Sequence, residues 1–265
     1  MLAIDAHVHF HQRRWVEPTL SAAAANFRLL AATRDSKPLG VLLLAESTRE
    51  QVFEWLRDQS RAGAWTVKQV AAEPQTLRIG NAGVELLVVC GRQIRAEQGL
   101  EVLALGTDQR FPDGLGLERT LADVRQARAL PVLPWGFGKW LGRRGRRVNE
   151  ILSERSGKSL WLGDSGGRLR GLRRPRLMAE AERRAVGVLP GTDPFPFGHD
   201  YRRVGSFGCL LPAAIDLSQP WQSIAARLRA IEGSPTAYGR STGWFRFGFN
   251  QAWIQVHMRL HGRSR

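Results

Sequence analysis

The sequence predicts an α/β fold, specifically a TIM-like (β/α) barrel of seven or eight strands with a C-terminal helical extension. Two observations carry this. Short apolar runs alternate with amphipathic stretches along most of the 265 residues, which is the pattern of a parallel sheet with helical crossovers. Polar residues that have no structural reason to end a buried strand recur where those runs stop, as catalytic groups do at the mouth of a barrel. The competing open, doubly wound sheet would carry a glycine-rich phosphate loop after its first strand, and none follows here.

The first strand is "MLAIDAHVHFH". The helical "EPTLSAAAANFRLLAAT" follows, then the buried strand "LGVLLLAES" and a helix over "TREQVFEWLRDQSRAG", with Thr48 as its expected N-cap. From 65 to 107 the pattern changes to "WTVKQVAAE", "TLRIGNAG", "VELLVVCGRQIRAEQG" and "LEVLALGT", short strands joined by glycine-containing turns. Alternation then resumes. Helices are expected in "GLERTLADVRQARAL", "RRVNEILSERSG" and "PRLMAEAERRA", and strands in "PVLPWGF", "SLWLGDSGG" and "VGVLPGTDP". The tail reads as two helices, "WQSIAARLRAIEG" and "WFRFGFNQAWIQVHMRLH". One domain is expected, the barrel over about 1–215 and the helical extension over about 220–265.

Composition narrows the class. Hydrophobic content of 43% and charged content of 24% are those of a globular protein. No apolar run approaches the length of a membrane span, and the N-terminus lacks the basic and apolar regions of a signal peptide, so a cytoplasmic protein without membrane insertion is expected. Cys90 and Cys209 belong to no CxxC pair and read as buried small hydrophobes. The net charge of +15 comes from 35 Arg and 4 Lys, clustered in "LGRRGRR", "GRLRGLRRPR" and "HGRSR". These clusters alternate with Gly and Pro rather than with aromatics, and no nucleic-acid-binding motif accompanies them. A small anionic substrate is therefore favoured over nucleic acid.

The opening strand raises the chemistry. Alternation on a strand would put Asp5, His7, His9 and His11 on one face, a row of imidazoles and a carboxylate suited to a divalent metal. Later strand ends add Glu46, Glu101, Asp164 and Asp193. Glu46 is the weaker member, because its strand could face a helix layer. Lys139, Arg143, Arg144 and Arg168 are candidates to clamp an anionic group, and His199 follows the closing strand. The i, i+4 pair His257 and His261 lies beside a basic terminus and reads as a helix face. The tryptophans, Trp135 and Trp140 included, read as packing.

"IDAHVHFH" resembles the first-strand HxH signature of the amidohydrolase superfamily and the first motif of the PHP (polymerase and histidinol phosphatase) phosphoesterases. "GRQIRAEQGLEVLALG" is similar to the PHP stretch in which Gly-x-Glu-Ile precedes a histidine, and "LPGTDP" to the closing motif with a metal-binding Asp. The chain departs at Gln93, where the glutamate is expected, at Glu101 in place of the histidine, and at Pro194 and Phe195 after the closing Asp; no histidine lies between His11 and His199. The resemblance implies a metal-dependent hydrolase on a β/α barrel, acting on a small anionic ester such as a phosphoester. Asp5, His7, His9, Glu101, Asp164 and Asp193 would hold zinc, manganese or iron, with Asp193 also the general base and Lys139 beside the reacting group. The alternatives are a lactonase or amidase of the amidohydrolase type, or a catalytically lapsed barrel that binds an anionic partner or polymer.

Overall fold

The computed structural model describes residues 1–34, 37–136, 138–154, 160–166, 174–197, 199–212 and 214–239. Two sheets pack face to face, and neither closes into a barrel. The larger has eight strands in the order β13-β12-β1-β2-β6-β5-β4-β3: β1 Leu2–Val8, β2 Leu39–Leu44, β3 Arg61–Ala62, β4 Trp65–Val70, β5 Glu73–Asn81, β6 Val84–Val89, β12 Phe207–Leu211 and β13 Thr236–Gly239. The smaller has five in the order β11-β10-β9-β8-β7: β7 Gly91–Arg95, β8 Glu101–Leu105, β9 Leu130–Pro134, β10 Trp161–Ser165 and β11 Val188–Gly191.

The expected barrel, and with it the PHP or amidohydrolase fold, is overturned by edge pairing. A strand has two hydrogen-bonding edges. β1 gives one to β2 and the other, over Leu2–Ile4, to the antiparallel β12, so β11 finds no ladder on it. β2 is likewise shared between β1 and β6. The meander β3–β6 and the pair β12–β13 extend the large sheet at both ends instead of curling toward the small one. β8 adds a second departure, running antiparallel to both β7 and β9.

The sheets are stitched only beyond the shared ladders, where β1 and β2 end. There Asp193 N–H donates to His7 O at 2.8 Å, Glu46 N–H to Gly91 O at 3.0 Å, and Gln93 N–H to Glu46 O at 2.8 Å. Two glycines permit the approach. A Cβ on Gly191 would lie 2.3 Å from His7 N, and one on Gly91 would lie 2.2 Å from Leu44 O.

Alternation sorts the apolar side chains into three cores. Leu2, Ile4, Val41, Leu43 and Leu87 meet Leu103, Leu105, Leu130, Val132 and Leu189 between the sheets. Outside the large sheet, Ala3, Val8, Leu42 and Leu44 pack on α1 (Val16–Ala31) and α2 (Val52–Arg57). Outside the small sheet, Val102, Ala104 and Leu162 pack on α3 (Leu117–Gln126), α4 (Arg143–Glu154) and α5 (Arg176–Arg183). The result is four layers, helices outside and sheets within. α6 (Pro220–Ala230) adds Trp221, Ile224 and Leu228 to the central core, held by Glu73, whose carboxylate accepts from Trp221 N–H and Gln222 N–H.

The expected C-terminal extension is corrected in part, since residues 236–239 form a strand rather than continuing a helix. The second tail helix, with His257 and His261, lies outside the described residues. Thr48 does not cap α2; Glu46 Oε1 accepts from Phe53 N–H at 2.7 Å and takes that role. No helix of the described residues is long and apolar enough to cross a membrane.

Gly191→Ala should destabilise the fold by ~1–3 kcal/mol, because the new methyl would meet His7 N, His7 Cβ and Ala6 C, none of which can swing aside. Urea unfolding against Gly116→Ala, where φ is −54° and a Cβ meets only Glu97 Oε2 at 3.9 Å, checks this. Equal losses in the two variants would refute the close-approach argument.

Candidate metal centre

The register of β1 decides which side chains meet. Asp5 stands opposite Leu42 but Val8 opposite Leu44, so β1 fits one extra residue against β2. Before this bulge, Ala3 and Asp5 face the outer helices; after it, Val8 and Phe10 do. His7 and His9 therefore turn inward, opposite to the face that uninterrupted alternation would share between them and Asp5.

Asp5 is wholly buried among donors from its own fold. Oδ1 accepts from Thr192 N–H at 2.8 Å and from His7 N–H at 3.4 Å, while Oδ2 accepts from the Thr192 hydroxyl at 2.7 Å and Gly205 N–H at 2.9 Å. It thereby ties β1 to the turn that presents Asp193. Burial pushes its carboxyl up to about 6, against the pull of those four donors.

On the inner face, His7 Nε2 lies 3.2 Å from His9 Nε2, 3.2 Å from Gln93 Oε1 and 3.5 Å from Asp193 Oδ1, and His9 Nε2 lies 3.7 Å from the same Asp193 oxygen. Metal–ligand bonds of ~2.0–2.2 Å at tetrahedral angles give ligand–ligand spacings of roughly 3.3–3.6 Å. Two imidazoles and a carboxylate at these separations suit one divalent cation, with the Gln93 amide oxygen beside His7. His7, His9 and Asp193 form one group of three whose ligand atoms lie within 4.8 Å of one another; His9, His11 and Glu50 form a second.

The electrostatics of the three groups differ. Burial pushes His7 below its ordinary value, which keeps the ring neutral and its lone pair available. Burial opposes charge on His9 too, but the hydrogen bond and charge of Glu50 outweigh it and raise the ring. Asp193 is held below the usual carboxylate range, its burial overcome by the charges of His7, His9, Lys139 and Arg203. Both His11 and Asp193 have left-handed backbones, φ 56° and 46°, a conformation that non-glycine residues adopt at a cost.

The remaining sequence candidates divide. Glu101 begins β8 rather than ending it, and because β8 is reversed this puts it at the same end of the molecule as the histidines. It shares the inner face with Leu103, its charge reaches His7 and His9, and it pairs with Lys139. Asp164 is on the face of β10 with Leu162 and lines a separate cleft with Arg174, Glu182, Pro190 and Phe207. Arg144 donates to Gly138 O at 3.0 Å beside Lys139, whereas Arg143 is exposed at the start of α4. His199 is exposed, its ring 5.8 Å from that of Tyr201. Arg168 lies outside the described residues.

Sequence reasoning missed Glu50 and Arg92. Glu50 sits in a loop, where alternation gives no signal. Arg92 is buried and pairs with Glu46 and Glu54 at 3.1 and 2.8 Å, fixing β7 against α2; on sequence alone it is one arginine among 35.

No family model matches the chain, and no curated protein matches it. A solved structure does. The crystal structure of PsfC from Pseudomonas syringae PB-5123 is similar to this chain with a TM-score of 0.55 at 18% identity, covering 90% of this chain and 91% of that one. At that identity the likeness is one of fold.

Because the folded-state pKa of Asp5 is raised above its unfolded value of 3.8, its contribution to stability is full below about pH 4 and is lost as pH rises through about 6. Wild-type stability measured relative to Asp5→Asn should fall over that window, by at most ~1.4 kcal/mol per pH unit. A flat difference between pH 4 and 7 would contradict the shift.

Proposed function

We propose that the chain is a metal-dependent hydrolase of a small anionic ester, a phosphoester in the first instance. The observation that carries the reading is the convergence of His7 Nε2, His9 Nε2 and Asp193 Oδ1, from segments more than 180 residues apart, on one point at the seam between the sheets. Zinc, manganese or iron held there would supply an acidified water for attack on a phosphoryl or carbonyl centre.

The chain's own groups do the rest. His7 stays neutral as a ligand, His9 would give up its Nε2 proton on binding the cation while Glu50 holds the one on Nδ1, and the partly exposed carboxylate of Asp193 is placed to take the water's proton. Gln93 offers an amide oxygen that binds without adding negative charge. Lys139, oriented by Glu101 and with its charge felt at Asp193, receives the anionic end of the substrate, with Arg144 of α4 held to the neighbouring Gly138 carbonyl. The two free cysteines, Cys90 and Cys209, both buried, support a reducing, cytoplasmic setting.

Metal analysis of the purified protein, coupled to a screen of generic phosphomonoesters, tests this. Near-stoichiometric metal and turnover are expected, with both lost in His7→Ala and His9→Ala. Full activity in the double variant would overturn the proposal, and a wild type without metal or turnover would favour a lapsed site. Lys139→Ala should raise KM for the ester about tenfold with little effect on thermal stability, as removing one charge-assisted hydrogen bond to the ligand would. An unchanged KM would remove Lys139 from the site.

A further inference from the structure

The two groups of potential ligands share His9, and its ring determines how they can be used. His9 Nδ1 lies 3.4 Å from Glu50 Oε2, while its Nε2 faces His7 and Asp193. A neutral imidazole carries one proton and one lone pair. The carboxylate can only accept, so the proton belongs on Nδ1 and the lone pair on Nε2, among the other donors. A second cation between His9, His11 and Glu50 would need a lone pair on Nδ1 as well, which requires stripping the ring of its last proton.

Glu50 is itself anchored. Its Oε2 accepts from Ser47 N–H at 2.8 Å, within its own turn, and its side chain is only 11% exposed. Its Oε1 accepts from His11 Nδ1–H at 2.7 Å, and His11 Nε2–H donates to Pro194 O at 2.8 Å, so both ring nitrogens face acceptors. Pro194 follows Asp193. One carboxylate thus reaches two of the three ligands, His9 directly and Asp193 through His11 and the Pro194 carbonyl.

We infer that Glu50 is a positioning residue of a one-ion centre, setting the tautomer of His9 and tethering the turn that carries Asp193, and that the His9–His11–Glu50 group is not a second metal site. The inference rests on the proposed metal centre. It gives His11 a defined place too, as the link between Glu50 and Pro194 rather than as a ligand.

The test uses the full chain, stripped of metal, as wild type, Glu50→Gln, His11→Ala and His9→Ala. Long-range proton–nitrogen NMR on histidine-labelled protein, at alkaline pH where the imidazoles are neutral and with signals assigned from the two histidine variants, should show His9 as the Nδ1–H tautomer in the wild type and a mixed or reversed tautomer in Glu50→Gln. Zinc titration by calorimetry should give one ion per chain in the wild type. Glu50→Gln should keep that stoichiometry with affinity 10- to 100-fold lower, the usual effect of removing a carboxylate behind a ligating histidine. His11→Ala should also keep one ion at reduced affinity, which covers the case in which Glu50→Gln fails to fold. Two ions in the wild type falling to one in Glu50→Gln or His11→Ala would overturn the inference and make these residues ligands. One ion bound equally well by wild type and Glu50→Gln, with an unchanged tautomer, would overturn it as well. A wild type that takes up no zinc would instead fail the metal centre itself, an outcome distinct from either.

Discussion

The extra residue between Asp5 and Val8 is the constraint on which the rest of the site depends. Without it, His7 and His9 would face α1 with Asp5, in a layer already filled by Val16, Leu20 and Phe27. With it, one strand serves two ends: Asp5 stays behind as a buried acceptor for Thr192 and Gly205, and the imidazoles turn to the seam. The cost is a carboxylate removed from water, offset by four hydrogen bonds. The bulge also falls just past Ile4, where pairing with β12 stops, so the free edge of β1 is available to Asp193 N–H at the point where His7 turns.

The seam shows how two open sheets can build a site of the kind usually expected from a closed barrel. Gln93 and Glu101 come from the small sheet, His7 and His9 from the large one, and Asp193 from the turn that joins them. Each sits on the inner face of its strand or just past its end. Buried ion pairing locks the other side of the seam, where Arg92 reaches Glu46, Glu54 and the Asp108 carbonyl. A buried guanidinium paired in this way resists displacement, because moving it would strand charges in the core.

Much of the fold was legible in the sequence because periodicity is a local signal. Among the described residues, most strands from β1 to β11 fall within the stretches whose patterns announce them, and each of the six helices overlaps one, α4 starting three residues early. The barrel was not, because closure depends on which edges pair, and "SFGCLLP" carries no mark that it will lie antiparallel on β1 and take the edge β11 would need. At the site, the HxH pair and Asp193 were readable as polar residues at apolar strand ends. Asp5 was misplaced because a bulge leaves no trace in alternation, and Asp164 because it points outward from β10. Glu101 was found for an incomplete reason, since its strand runs the other way from the one assumed.

The separation of the ligands along the chain bears on how the protein comes off the ribosome. His7 and His9 are translated before Asp193, the Thr192 and Gly205 donors that fix Asp5, and the β12 edge at Phe207–Leu211, all of which lie more than 180 residues further along the chain. Until then β1 has only β2 to pair with, and its imidazoles have no carboxylate from the closing turn. A cation at the seam would therefore find Asp193 beside the two imidazoles only after the closing turn has been made, and a nascent chain truncated before residue 190 would present His7 and His9 without that carboxylate.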